Sequence, residues 1–508
     1  MLSRSSYPSP VSPLRLILFW LCGAILLLLF MGVLMIAPLP GFALLMLLLG
    51  GGVIIFAVPA AWLAVALVLL TFALVGPAES LGRIPKLFWL PYLLGLAMAV
   101  KAMIMAPVAQ LGRGQKAAPM AGVGGSKLMG GAFLLLVLFS LAVNASGGVQ
   151  FILATRDYFW LLGLLALALV SRLELDKALV WLRLLPALIL IQFPLVLYQH
   201  FFVSRSTRFT THDAVVGLFG GNAEGGGASG AMGMFSLVVV VYAFARFRHG
   251  LMSWYAALAV IAAGLAAIGL AEVKYVVLVS PLVVLAFFGL RETLRRPMLL
   301  MSLVLVCALI PVFLYAYWKM FEPPGAKTYG GFGKYVSVIV ERNLDSEQID
   351  MTTGEMSRIS ALKFWAKENS LRTDPLRTVI GHGIGSSRIG FFPGEVAVKY
   401  RFKIGRSSLA VLLWETGALG AGLVVGLLLA GLRLAAKARR LLPADAKEAL
   451  IACQFSTAVL VVALLGLPYN ADLVGTPQLQ LLVIMAFTLV LMVIRQFGAP
   501  QRPGLSGR

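Results

Sequence analysis

Apolar runs of about 20 residues recur along nearly the whole of this 508-residue chain, and nothing else restricts its fold as severely. Each run is long enough to cross hydrocarbon as a helix, the one open structure that satisfies every backbone polar group there. Composition points the same way: 60% of residues are hydrophobic and 12% charged. A soluble domain carries roughly 25% charged residues. A soluble enzyme, a secreted disulfide scaffold and a disordered chain are excluded, and the expected fold is an all-α polytopic membrane protein. Cys22, Cys307 and Cys453 lie in separate apolar runs, so neither a disulfide framework nor a zinc site follows from them.

Fourteen spans are predicted, over 16–36, 41–58, 60–76, 87–109, 128–145, 154–171, 178–200, 229–247, 251–271, 273–290, 297–318, 407–432, 449–468 and 477–496. The first run, behind Arg4 and Arg15, is read as a retained helix and not a cleaved leader. They form one integral membrane domain in three parts: helices of 1–318, a polar loop over 319–406, and helices of 407–508. With the N-terminus inside, short inner segments carry twenty Lys and Arg against six outside, Arg156 among them. The positive-inside rule then places both termini in the cytoplasm and the loop in the periplasm. The formal charge of +21 is largely membrane anchoring, and no nucleic-acid partner is expected.

Three polar features share the outer face. The loop holds an amphipathic helix near 355–369, with Ile359, Leu362, Trp365 and Ala366 inward and Arg358, Lys363 and Lys367 polar. Gly381-His382-Gly383-Ile384-Gly385-Ser386-Ser387-Arg388 follows, a glycine-alternating loop. A second glycine-rich segment runs from Arg208 through His212, Asp213, Gly217-Leu218-Phe219-Gly220 and Glu224. Irregular backbone at that depth requires surrounding protein or a water-filled cavity. Third, the 40-residue run 251–290 must fold back on itself, and Glu272 and Lys274 mark the reversal. Lys101 and Arg183 lie near span ends, where they snorkel.

Taken in chain order these segments resemble the O-antigen ligase/polymerase superfamily. Arg208 to Gly230 is similar to its arginine-then-GxFGxxN stretch, and Ala271-Glu272-Val273-Lys274 to its "SR" or "xxK" helix start. Ser357-Arg358, Pro375-Leu376 and Ile380-Gly381-His382-Gly383-Ile384-Gly385 follow its "gR…p…lGxGxG" progression. Leu412-Leu413-Trp414-Glu415-Thr416-Gly417-Ala418-Leu419-Gly420 resembles its "lLxExGxxG" opening of the next helix. The resemblance covers roughly 205–430.

It implies a GT-C-like enzyme of the bacterial inner membrane, using no metal or other cofactor. Such an enzyme transfers a glycan with inversion from a polyprenyl diphosphate, whose phosphates arginines bind. The expected partners are the polyprenyl-diphosphate-linked oligosaccharide and membrane lipid, beside a chain-length regulator and a flippase. In the ligases a His-Asn pair precedes the motif Glu by about nine residues; here Arg406-Ser407 stands there. That departure favours a Wzy-type polymerase of exopolysaccharide, capsule or O-antigen over an O-antigen ligase. His382, Arg406 and Lys274 are the expected catalytic residues. Arg208, Arg358, Arg388, Glu272, Glu224 and His212 are expected to bind substrate. His382, His212, Glu224 and Glu272 remain open as general base. Two other classes fit the span count: a lipid-linked oligosaccharide flippase or transporter, and a peptidoglycan-type (SEDS) glycosyltransferase using Asp213 or Asp472.

Overall fold

The computed structural model describes residues 52, 56–80, 85–111, 124–144, 148–171, 173–203, 215–220, 228–271, 273–321, 331–334, 336–337, 349–350, 354–389, 392–400 and 403–498. The chain divides into two units, 1–59 and 60–508, and the helices that follow all lie in the second. The spans expected over 16–36 and 41–58 lie almost wholly outside the described residues.

The protein is an all-α polytopic membrane protein. Its helices are α1 (Ala60–Glu79), α2 (Trp89–Leu111), α3 (Gly124–Asn144), α4 (Gln150–Val170), α5 (Leu175–Val203), α6 (Ser229–Arg248), α7 (Trp254–Leu270), α8 (Lys274–Phe288) and α9 (Pro297–Phe321). In the loop come α10 (Arg358–Glu368), α11 (Pro375–Ile380) and α12 (Glu395–Tyr400), and then α13 (Ser408–Leu441), α14 (Lys447–Gly466) and α15 (Pro477–Phe497). Among the described residues ten of these are long and apolar enough to cross a membrane, and α7 and α8 are shorter apolar helices. Each of the twelve spans expected from residue 60 onward falls on one of these helices. A two-residue antiparallel ladder, Ile349–Asp350 against Glu355–Met356, precedes α10.

Burial sorts the helices. The apolar residues of α15 run all round it, and most of its residues are enclosed, as are those of α6 and α14. Met301, Val304, Leu305 and Val312 leave α9 apolar on its outward surface, which suits contact with lipid. Close crossings are made by small residues, as expected where lipid competes equally for apolar surface. At the crossing of α2 and α4, a Cβ on Gly163 would lie 1.8 Å from the Gly95 carbonyl oxygen, and one on Gly95 2.6 Å from that of Trp160. Alanine is excluded at both positions. The crossing brings the aromatic start of α2 alongside the middle of α4.

On the face opposite the loop, carboxylates gather arginines from several helix ends. Glu292 lies 2.6 Å from Arg248, 3.6 Å from Arg296 and 3.7 Å from Arg439. Glu448 pairs with Arg183, which is therefore tied between α5 and α14 and does not merely snorkel. Lys101, also expected to snorkel, is buried.

The segment Gly217-Leu218-Phe219-Gly220 is irregular backbone packed within protein, as its glycines predict. Gly217 and Gly220 have φ of 54° and 72°. The Gln199 carboxamide accepts from the amides of Val216 and Gly217 at 2.9 and 2.6 Å. Gln478 Nε2 donates 3.1 Å to the Phe219 carbonyl and 3.1 Å to that of Thr71, which lies in a π-helical turn of α1.

Candidate functional site

The helix α13 is broken, and the break organises the site. Gly417 has φ 69° and ψ −175°, so Ser408–Thr416 and 418–441 are two helices meeting at a kink. The kink frees consecutive carbonyls that a continuous helix would satisfy. Three loop donors take them. Trp365 Nε1 donates to Leu413 O at 3.0 Å, the His382 amide to Trp414 O at 2.8 Å, and the Gly383 amide to Glu415 O at 3.1 Å. The glycine loop and the Trp-Glu-Thr-Gly motif, 30 residues apart in sequence, are therefore one unit. Gly381 has φ 74°, and a Cβ there would sit 2.5 Å from Glu415 O. A Cβ on Gly417 would sit 2.2 Å from Val379 O.

Glu415, 3% exposed, points its carboxylate into this joint. Ser387 Oγ donates 2.7 Å to Oε1, and the Tyr158 hydroxyl donates 2.9 Å to Oε2. An ionisable residue this deep in a membrane helix marks a functional site by default. Beside it lies a second ionic cluster. Asp157 Oδ1 accepts from Arg156 Nε at 2.7 Å and lies 2.6 Å from its Nη2, while Oδ2 accepts from Arg388 Nη1 at 3.3 Å. The buried Arg156 guanidinium lies 5.0, 4.5 and 5.1 Å from the ring centres of Phe88, Trp89 and Tyr92. The Gln480 carboxamide donates 2.8 Å to the Asp157 carbonyl and accepts from Tyr92 at 3.2 Å.

Asp157, Tyr158 and Gln480 form the polar end of a cavity of about 690 Å³ between α3, α4, α13 and α15. Its walls are Leu161, Leu165, Leu169, Val424, Leu428, Ile484 and Leu491 with their neighbours, and Ser126 and Lys127 lie at the far end. From Asp157 to Val170 it follows α4 for about 20 Å. Its shape and polarity suit an amphipathic ligand with a long apolar part.

The expected site residues separate into two groups. Arg388 joins the ionic cluster through Asp157, which lines the cavity where Arg388 itself does not. Nearby, His382 donates from Nε2 to Asn369 Oδ1 at 2.8 Å in the tautomer this contact requires, and its ring packs 5.5 Å from that of Trp414. Burial, reinforced by Arg377, pushes the imidazole down to about 4. His382 is not among the residues lining the cavity. Burial likewise lowers the Arg388 guanidinium from its ordinary value.

The other group surrounds the turn after α14. Arg358 Nε donates to the Tyr469 carbonyl, and its guanidinium lies 3.8 Å from the Tyr469 ring centre. The same ring stacks at 3.8 Å on Tyr275, the neighbour of Lys274. Arg406 stands two residues before Ser408, whose amide donates 2.6 Å to Asn470 O. Arg208, His212, Glu224 and Glu272 lie outside the described residues, as does Asp213. Asp472 accepts from Asn470 Nδ2 at 2.7 Å and Thr476 Oγ1 at 3.2 Å.

Sequence reasoning missed Arg156, Asp157 and Tyr158. It counted Arg156 with the short outer loops, whereas the residue is buried within α4. The loop helix also turns differently from expectation. Leu362 and Trp365 pack inward with Phe364 against Ala361 and Trp414, whereas Ala366 is exposed. Among the described residues, no three His, Cys, Asp or Glu side chains converge as metal ligands would.

Fold and site together define a multi-pass helical membrane protein with a polar loop seated on a broken helix and an amphipathic cavity beneath it. Compared with protein-family models and with curated protein sequences, the chain matches none.

Proposed function

We propose that this protein is a glycan polymerase of the bacterial inner membrane. It joins oligosaccharide repeat units carried on polyprenyl diphosphate, by inverting, metal-independent glycosyl transfer at the periplasmic face. On this reading the chain has fourteen spans in a GT-C-like arrangement, with both termini cytoplasmic. The observation that carries the reading is the long apolar cavity ending at an arginine-bearing ionic cluster. A polyprenyl chain fits the walls, and its diphosphate belongs beside Arg388.

The chemistry then runs through named groups. An acceptor hydroxyl forms its bond to the donor's anomeric carbon as the bond from that carbon to the phosphate oxygen breaks. The electron pair leaves with the diphosphate, whose developing charge Arg388 offsets in a poorly hydrated site. The acceptor proton passes to the Tyr158 oxygen as the Tyr158 proton passes to Glu415, already hydrogen-bonded to it. Tyr158 lines the cavity, whereas His382 does not and is bonded to Asn369, so His382 is assigned to holding the loop. Lys274, Arg358 and Arg406 flank the neighbouring turn and serve the glycan.

Purified protein supplied with a lipid-linked repeat unit is the test. A ladder of longer lipid-linked glycans supports the polymerase. Transfer only to a lipid A–core acceptor supports an O-antigen ligase instead, and movement of the unit between leaflets without new linkages supports a flippase.

A further inference from the structure

Resting on that reading, we infer that Asp157 is a positioning residue: it holds Arg388 of the loop at the cavity's polar end, oriented for a lipid-borne diphosphate. Asp157 is itself fixed at three points. Nε and Nη2 of Arg156 both reach its Oδ1, at 2.7 and 2.6 Å. Its carbonyl takes the Gln480 donor at 2.8 Å. Arg156 is in turn enclosed by the rings of Phe88, Trp89 and Tyr92. The free oxygen, Oδ2, then has a defined position and takes one nitrogen of Arg388 at 3.3 Å. Among the described residues that is the one hydrogen-bonded partner of the Arg388 side chain, so Nε and Nη2 remain as donors.

One carboxylate between two guanidiniums also offsets their mutual repulsion. Without it, two cations would face each other in a low-dielectric site, where like charges repel strongly. Arg388, carried on a loop, would be the one to move. Asp157 therefore assists anion binding although it is an anion.

That gives the test a sign. Asp157→Asn adds one positive charge to the site, and charge attraction alone would tighten the binding of an anion. Positioning requires the opposite. The probe is a C15 prenyl diphosphate titrated into the full-length protein in detergent, with the C15 prenyl alcohol as the phosphate-free control. Asp157→Asn is expected to weaken the diphosphate about tenfold or more, the scale of one charge-assisted contact. The alcohol should bind as it does to wild type. Asp157→Glu should recover part of the loss, and Asp157→Asn should add little to Arg388→Gln. Unchanged thermal midpoints exclude a folding defect as the cause. If Asp157→Asn unfolds, Asp157→Glu carries the test. At constant charge its extra methylene displaces Arg388 and should still weaken the diphosphate, and wild-type affinity there overturns the positioning role.

Equal or tighter diphosphate binding by Asp157→Asn overturns the positioning role and leaves the polymerase reading standing. A wild-type protein that prefers the diphosphate yet never lengthens a glycan overturns the polymerase reading alone. Wild-type protein with no preference for the diphosphate over the alcohol overturns both.

Discussion

Arg388 of the loop and Asp157 of α4 meet at 3.3 Å, so the polar segment between the membrane helices is tied by an ion pair to the end of the amphipathic cavity. The ion pair joins parts of the chain 231 residues apart. Around it, loop donors have replaced the helical hydrogen bonds lost at Gly417. The loop is bonded to the polar cluster at the cavity's end.

Gly381→Ala should destabilise the protein by more than about 2 kcal/mol, because φ is positive and the new Cβ meets the Glu415 backbone. Gly422→Ala is the control. Nothing lies within 4 Å of its Cβ position, so it should be neutral or stabilising by about 0.5–1 kcal/mol. Thermal midpoints of the detergent-solubilised variants check both.

Stability should fall as pH drops from 6.5 towards 4, with His382 contributing. Its imidazole is held at about 4 in the folded protein against an ordinary 6.5. Between those values the unfolded chain binds a proton that the folded one does not, which favours unfolding. Below about 4 both states are protonated and the contribution stops growing. Its size is at most about 3 kcal/mol. A His382→Gln protein should lose thermal midpoint less steeply than wild type over the same window.

Tyr158→Phe and Glu415→Gln should each lower turnover about 10²–10⁴-fold, the usual range for losing a proton acceptor. Their lipid-substrate KM should stay within about twofold. His382→Ala should retain more turnover than either. Full activity in Tyr158→Phe would remove the proton path and leave the diphosphate site untouched.

Lys274→Ala and Arg406→Ala should lose most turnover while still folding and inserting. Lys274→Arg should keep some activity. Arg406→Lys should lose more, because a point charge cannot reproduce a two-pronged grip on glycan oxygens.

Much of the fold was legible because the bilayer sets it. A helix that spans hydrocarbon must be apolar for about 20 residues, and from residue 60 those runs found the helices directly. The glycine loop and the Glu415 motif were legible as separate pieces, since positive φ and close backbone approach select glycine. Their union at the kink was not, for it depends on three hydrogen bonds between segments far apart in sequence. Arg156 and Asp157 were hidden for another reason. Two adjacent charges at the start of an apolar run look like a loop, and only the glycine crossing of Gly95 and Gly163 brings α2's rings alongside α4. In α10, spacing alone favoured Ala366 over Phe364, but the larger ring packs against Trp414 and sets the helix's rotation.

Orientation can be checked by labelling. Cysteine at Leu371, exposed in the loop, should react with an impermeant reagent from the periplasm. Cysteine at Ala444, exposed between α13 and α14, should react from the cytoplasm alone. The reverse pattern would put the cavity's polar end on the wrong face for a periplasmic donor.

The central claim meets its most direct test in proteoliposomes holding only this protein and a polyprenyl-diphosphate-linked repeat unit, with a chelator present. Each new glycosidic linkage should release one polyprenyl diphosphate, and the lipid-linked glycans should lengthen by whole repeat units. Repeat units that cross the bilayer unlengthened, or lengthening that stops when divalent metal is removed, would contradict the account.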